Sequence, residues 1–302
     1  MSGVQSGEPV AALDARSDEF GLVDSDDGSN DQSRRAQASV EAVLSDCGSV
    51  IVACSGGIDS LLLATIAHRH RPSTTIIAHT VTPAVPGEGT ARVMAHARRR
   101  GWRLEVVRSK EFDDERYLSN PTDRCYFCKT HLYDAIGSLG ELGAVLPGAT
   151  VVSGANLDDL GEYRPGLIAA DEHEVRHPYV EAGLTKDAIR AVARSLDLDE
   201  ADLPASPCLA SRLYTGTRVT EARLRAVALG EAVVQGAGMP VARCRIRDDR
   251  AIVEVPEADR SKITEELLDH VALAMQTVAP DITTVTLDDR PYRPGQAVLK
   301  IT

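Results

Sequence analysis

No apolar run in the 302-residue chain approaches the ~18 residues that a membrane-spanning helix requires. The opening stretch, MSGVQSGEPVAALDARSDEF, lacks the basic start and unbroken apolar centre of a secretory signal. A cytoplasmic protein with reduced thiols and no membrane partner is therefore expected. Cysteine is sparse. Six residues are too few for a disulfide scaffold, and in a reducing compartment close cysteine pairs more often hold metal or carry redox chemistry. Lysine contributes only five of the 33 cations, a bias that carries no chemistry by itself. With 45 acidic side chains the net charge is −12, which opposes general binding to a polyanion, so no nucleic-acid partner is expected. A Walker GxxxxGK[ST] loop is also missing.

What is present suits a water-exposed globular fold: 43% hydrophobic and 26% charged residues, in a chain long enough for one large domain or two ordinary ones. Residues 1–38, with the run DSDDGSNDQS, hold too little apolar surface to offset ordering entropy and are expected to form a disordered acidic tail. From Ser39 the chain reads as helix (SVEAVLSDC), buried strand (SVIVAC), tight loop (SGGIDS) and helix (LLLATIAHRH). Apolar runs at 74–81, 102–107 and 149–154 alternate with helical stretches at 88–100 and 128–139, which predicts a parallel sheet covered on both faces. Beyond residue 213 the pattern changes to a helix over Thr220 to Gly236, the strands VARCRIR and AIVEVP joined by a short DDR hairpin, a helix over 257–276, and a last strand ITTVTLD. The expected division is thus 1–38 tail, 39–213 α/β domain and 214–302 small α+β domain.

Three clusters carry candidate chemistry. Ser55, Gly56, Gly57, Asp59 and Ser60 lie where a strand meets a helix, a place where free backbone N–H groups and the positive helix end hold anions; the alternative is a plain glycine-rich turn with a Ser/Asp cap. Cys125 and Cys128 form a CxxC pair, and Cys208 lies in the loop-like SPCLASR. The pair alone also reads as a zinc half-site or as two ordinary helix-start cysteines. The segment SGANLDDLGEYRPG follows another strand and brings Asn156, Asp158, Asp159 and Arg164 to the carboxyl edge of the sheet, where open α/β sheets bind ligands. A turn and helix cap is the plainer reading. Cys47, Cys54 and Cys244 read as small buried apolar residues, and none of the eight histidines is assigned to catalysis.

SGGIDS after a buried strand resembles the PP-loop of the N-type ATP pyrophosphatases, which implies an adenine nucleotide alpha hydrolase-like domain that cleaves ATP between its α and β phosphates. Taken in order, SGGIDS, RCYFCK, GANLDDLGEYRPG, EAGLTKDAIR and SPCLASR resemble the LarE family of ATP-dependent sulfur transferases over residues 39–302. The resemblance implies adenylation of a carboxylate of pyridinium-3,5-biscarboxylate mononucleotide and its conversion to a thiocarboxylate, for the nickel-pincer nucleotide cofactor. ATP and Mg2+ would be held by the two loops. One branch of the family surrenders the sulfur of a cysteine at the Cys208 position. The other carries cysteines matching Cys125, Cys128 and Cys208 around a [4Fe-4S] cluster, and this chain has all three. A cluster-dependent enzyme with a separate sulfide donor is expected, and a homo-oligomer on resemblance alone.

Arg243, Arg245 and Arg247 alternate along one strand face, which suits a substrate phosphate or a solvated surface. The resemblance adds Glu254 and the helix residue Glu231, and Arg212 beside the Cys208 segment reads as a phosphate contact or a surface salt bridge. A PP-loop tRNA thiolase is the alternative enzyme, and an ATP- or iron–sulfur-sensing module the non-enzymatic alternative. The charge of −12 and the lack of a lysine-rich arm oppose the first, and the full hydroxyl set of the loop opposes the second.

Overall fold

The computed structural model describes residues 25–141, 148–161, 164–204 and 206–293. Helix α1 (Ser25–Asp46) leads into strand β1 (Val50–Ala53), the phosphate-loop segment and α2 (Ile58–His70). Then come β2 (Thr75–Thr80), α3 (Gly87–Arg100), β3 (Leu104–Val107), the short α4 (Glu115–Leu118), α5 (Arg124–Glu141) and β4 (Thr150–Ser153). The first unit closes with α6 (Pro165–Glu172), α7 (Pro178–Glu181) and α8 (Lys186–Ser195). The second is built from α9 (Glu221–Gly236), β5 (Arg243–Arg247), β6 (Arg250–Glu254), α10 (Glu265–Gln276) and β7 (Thr284–Leu287). None of these helices is long and apolar enough to cross a membrane.

The first sheet is parallel throughout, in the order β3-β2-β1-β4, with Val50–Ala53 in register against Thr75–Ala78 on one side and Thr150–Ser153 on the other. This mixed α/β architecture is that of a PP-loop domain, as the motif order implied. Alternation along the strands creates two apolar faces. Val50, Val52, Ile77 and Val152 pack beneath α1, α2 and α8, while Ile51, Ile76 and Ala78 pack against Tyr133 and Ile136 of α5. Hence helices cover both sides.

The second sheet runs β5-β6-β7: β5 and β6 form the expected antiparallel hairpin, whereas β7 adds in parallel. Its core is not self-contained. Ala84, Tyr117, Leu209, Ala210 and Leu213 from before residue 214 are buried in the same cluster as Leu224, Val253 and Met275, so the two units share apolar surface.

Three expectations need correction. Helix α1 starts at Ser25, so residues 25–38 are helical rather than part of a tail; residues 1–24 lie outside the described residues. The helix expected over 257–276 is two pieces, a 3-10 segment Glu257–Lys262 and then α10, because Thr264 restarts the helix by accepting a hydrogen bond from the Leu267 amide at 3.2 Å. The helix expected over 128–139 starts at Arg124, so Cys125 lies in the first turn of α5 and Cys128 opens the second, since turns through Pro121 and Asp123 begin the helix early.

Gly230 is where α9 meets this core: a Cβ there would stand 2.9 Å from both Cys244 Sγ and Met275 Sδ. Gly230→Ala should therefore destabilise the protein by about 1–3 kcal/mol through overpacking. Gly236→Ala, with nothing within 4 Å of the new methyl, should be neutral or stabilising by up to about 1 kcal/mol. Paired urea denaturation curves check both signs.

Candidate functional site

The loop after β1 is held by its own hydroxyls. The Ser55 amide donates to Ser60 Oγ at 3.1 Å, Ser60 Oγ donates to Gly57 O at 3.0 Å, and the two hydroxyls lie 3.2 Å apart. Gly57 caps α2 with no side chain in the way, which leaves the first-turn amides of α2 open to an anion. Gly56 has φ of 83°, and a Cβ on it would meet Gly89 O at 2.3 Å. The start of α3 thus packs directly on the loop, and Arg92 Nε reinforces the contact by donating to Gly56 O at 2.9 Å. From below, buried His79 bonds Cys54 O at 2.8 Å and Thr90 Oγ1 at 2.9 Å. Burial pushes the His79 imidazole below its usual value, so it serves as a neutral strut.

The second loop packs onto the first. Gly154 is needed there because a Cβ would lie 3.0 Å from Asp59 C and Ser60 N. Asn156 and Asp159 form a reciprocal cap: Asn156 Oδ1 accepts from the Asp158 amide at 3.1 Å, and Asp159 Oδ2 accepts from the Asn156 amide at 3.1 Å. Arg164 pairs with Asp159 at 2.7 Å. Lys186, to which the sequence reading gave no role, ties the loops together. Its ammonium pairs with Asp59 Oδ2, and its amide donates to Asp158 Oδ2 at 2.6 Å. Its only sequence signal was membership of the EAGLTKDAIR motif. Asp59 Oδ1 remains buried without a partner. A carboxylate oxygen left over beside an open helix N-terminus fits Mg2+, which is commonly held by one or two carboxylates plus substrate phosphates.

The cysteine segments approach the same edge. The Leu209 amide donates to Ala84 O at 2.8 Å, in the β2–α3 connection that continues into Gly89, so the Cys208 turn is moored to the chain that supports the phosphate loop. Arg124 binds Asn120 Oδ1 and donates to Ala210 O at 3.0 Å, fixing the first turn of α5 against the same segment. Cys128 and Cys208 pack on one apolar cluster with Phe127, while Cys125 is exposed. Burial, and next the neighbouring Cys208, push the Cys128 thiol up to about 12. Burial alone would lower Arg124 and Lys129, yet both are raised: Arg124 chiefly by Cys208 and Cys125, and Lys129 first by Tyr133 and then by Cys128, Cys125 and Cys208. Among the described residues no group of three His, Cys, Asp or Glu side chains closes around a single metal ion. The donor set itself, three thiols within electrostatic range of one another and flanked by two half-buried cations, fits a thiolate-held iron–sulfur cluster in kind. Two further residues escaped the sequence reading: Tyr117 and Glu111, 1% and 2% exposed, lie near Cys128 and Cys208 with Tyr117 Oη and Glu111 Oε2 unpartnered.

The arginines of the second unit are more enclosed than a solvated strand face would be. Arg245 is buried, with Nε donating to Glu254 Oε1 at 2.7 Å and Nη1 to Ser211 O at 3.2 Å. Arg243 is buried over the Tyr292 ring at 5.3 Å; Arg247 alone is exposed, stacked on Tyr214 at 4.2 Å. Arg212 forms a buried ion pair with Glu231 at 2.9 Å, not a surface bridge, and its Nη1 donates to Pro207 O at 2.7 Å and to Cys208 O at 3.2 Å. It therefore braces the turn that carries Cys208. Glu254 is raised by burial against the lowering effect of Arg245. Cys47, Cys54 and Cys244 are buried, as expected.

No family model matches the chain. An uncharacterized protein of Synechocystis sp. is 32% identical over 247 residues, 82% of this chain and 90% of that protein. Pyridinium-3,5-bisthiocarboxylic acid mononucleotide synthase of Lactiplantibacillus plantarum is 29% identical over 263 residues, 86% of this chain and 92% of the synthase. The chain belongs to the LarE-like family. An uncharacterized protein of Methanocaldococcus jannaschii is similar as well, 27% identical over 217 residues, 72% of this chain. All of the motifs that suggested the LarE family thus lie in a chain whose similarity to these proteins spans most of their lengths.

In protein stripped of metal, iodoacetamide at pH 8 should label exposed Cys125 first and Cys128 at least about a hundredfold more slowly, because the Cys128 thiol stays protonated until the pH approaches 12. Peptide mass mapping over time checks the order; equal rates would contradict the raised Cys128 thiol.

Proposed function

We propose that this protein is an ATP-dependent sulfur transferase that adenylates a carboxylate of pyridinium-3,5-biscarboxylate mononucleotide and converts it to a thiocarboxylate, in nickel-pincer nucleotide cofactor biosynthesis. The observation that carries the reading is the mooring of the Cys208 turn to Ala84, on the chain that packs against the phosphate loop at Gly89. One sheet edge thereby holds both a phosphate site and a thiol site. The L. plantarum relative, named as the bisthiocarboxylic acid mononucleotide synthase, supports the substrate class.

In this reading the loop Ser55–Ser60 receives the β and γ phosphates through the amides of the first turn of α2, and Asp59, positioned by Lys186, holds Mg2+ beside them. A carboxylate oxygen of the substrate attacks the α-phosphorus, and the bond to pyrophosphate breaks. A sulfide nucleophile then attacks the acyl carbon, and AMP departs with that carboxylate oxygen, leaving the thiocarboxylate. A [4Fe-4S] cluster held by Cys125, Cys128 and Cys208 would, when bound, supply an iron position open to sulfide. Arg124 and Lys129 offset thiolate charge in that pocket. On the second unit, Arg243 and Arg245 are the proposed contacts for the substrate phosphate, with Glu254 fixing Arg245 and Arg212 bracing the Cys208 turn.

Pyrophosphate release from Mg-ATP by anaerobically reconstituted protein tests the reading. Release should depend on the biscarboxylate mononucleotide and not on tRNA, and Ser60→Ala should slow it by roughly 10²-fold through loss of loop order. Release only with tRNA, or with neither addition, would overturn the substrate assignment.

A further inference from the structure

At the opposite end of the first sheet, a cavity of about 380 Å³ opens among Thr65, His68, Arg69, Pro72, Arg100 and Trp102. These residues come from the last turns of α2 and α3, the turn after α2 and the approach to β3. They sit at the amino edge of the strands, whereas the phosphate loop sits at the carboxyl edge. Helix α2, 13 residues and so about 20 Å long, separates the two places.

Two of the lining rings carry a buried nitrogen with no hydrogen-bond partner, Trp102 Nε1 and His68 Nδ1. Trp102 is 6% exposed, and its ring stacks on His96 at 5.3 Å. His96 is itself fixed between Glu200 Oε1 at 2.9 Å and Arg100 Nε at 3.2 Å, so the indole cannot readily turn to find an acceptor. Buried donors are nearly always satisfied, by the protein, by water or by a ligand. The charge around the cavity is equally unbalanced. Arg69 and Arg100 have no carboxylate partner among the described residues, while Arg99 pairs with exposed Asp199 at 3.4 Å. Burial lowers Arg100, and repulsion from Arg69 and Arg99 lowers it further, outweighing Glu200 and Asp199. Arginines in a last helical turn also answer the negative helix end, but that role calls for neither a cavity nor two orphaned ring nitrogens.

We propose that this cavity is a second ligand site, for a small oxyanion carried on a planar ring. Arg69 and Arg100 supply the charge-assisted donors for a phosphate or carboxylate group, and Trp102 Nε1 supplies a neutral donor. Pro72 and the Trp102 ring form an apolar wall, and the volume lies in the range that accepts a small organic molecule rather than a bare ion.

Trp102 is the one tryptophan of the chain, so its emission reports on this cavity directly. The full chain would be titrated with AMP, which joins a phosphate to a ring, with inorganic phosphate alone, and with adenosine alone. AMP should change the emission saturably, and phosphate and adenosine should each bind at least about tenfold more weakly. Arg69→Ala and Arg100→Ala should each weaken AMP binding about tenfold, whereas Ser60→Ala in the phosphate loop should leave it within about twofold. Arg69 is exposed, so its variant tests the site without disturbing the core. The absence of a saturable change, equal binding of phosphate or adenosine, or a response removed by Ser60→Ala and kept by the arginine variants would each overturn the proposal.

Discussion

The close backbone approach of Gly56 to Gly89 governs the arrangement of the site. With φ of 83° at Gly56 and only 2.3 Å between a would-be Cβ and Gly89 O, no other residue fits there. That fit brings α3 onto the phosphate loop and sets the path of the β2–α3 connection. The connection then receives Leu209 at Ala84 and so moors the Cys208 turn. One steric constraint therefore places the glycine-rich loop and a thiol segment on one sheet edge. Neutral His79 beneath the loop and the Lys186 bridge between Asp59 and Asp158 hold the arrangement from two further sides.

The second unit depends on the first in the same physical sense. Tyr117, Leu209 and Leu213 are buried with residues of α9, β6 and α10, and Arg212 adds a buried ion pair to Glu231 across that junction. An ion pair out of water adds little net stability and costs several kcal/mol when one partner is removed. Its geometric effect is plainer, because the same guanidinium donates to the carbonyl of Cys208. The thiol cluster balances opposing effects. Burial disfavours thiolates at Cys128, while Arg124 and Lys129 favour them, a balance that suits ligands charged only when something positive is bound between them.

Much of this was legible in the residues. The strand-to-helix steps around SGGIDS and SGANLDD, the two-faced parallel sheet and the DDR hairpin follow from apolar periodicity and turn chemistry, which are local signals. What escaped was set by tertiary contact. The polar composition of residues 25–38 concealed a helix, although Ser33 and Val40 on that helix are buried. Alternation placed Arg243 and Arg245 on one face but could not show that this face is covered by Tyr292 and the Ser211 turn. Lys186 stands far in sequence from Asp59, and Tyr117 from Cys208, and no spacing rule connects them.

Tracing oxygen addresses the central claim most directly. The biscarboxylate mononucleotide would be labelled with oxygen-18 in its carboxylates and turned over with unlabelled Mg-ATP and sulfide by the reconstituted protein. Attack of the carboxylate on the α-phosphorus predicts one labelled oxygen in each AMP released and a thiocarboxylate that has lost it. Unlabelled AMP would mean that water or another oxygen attacks the α-phosphorus, and would contradict carboxylate activation at this loop.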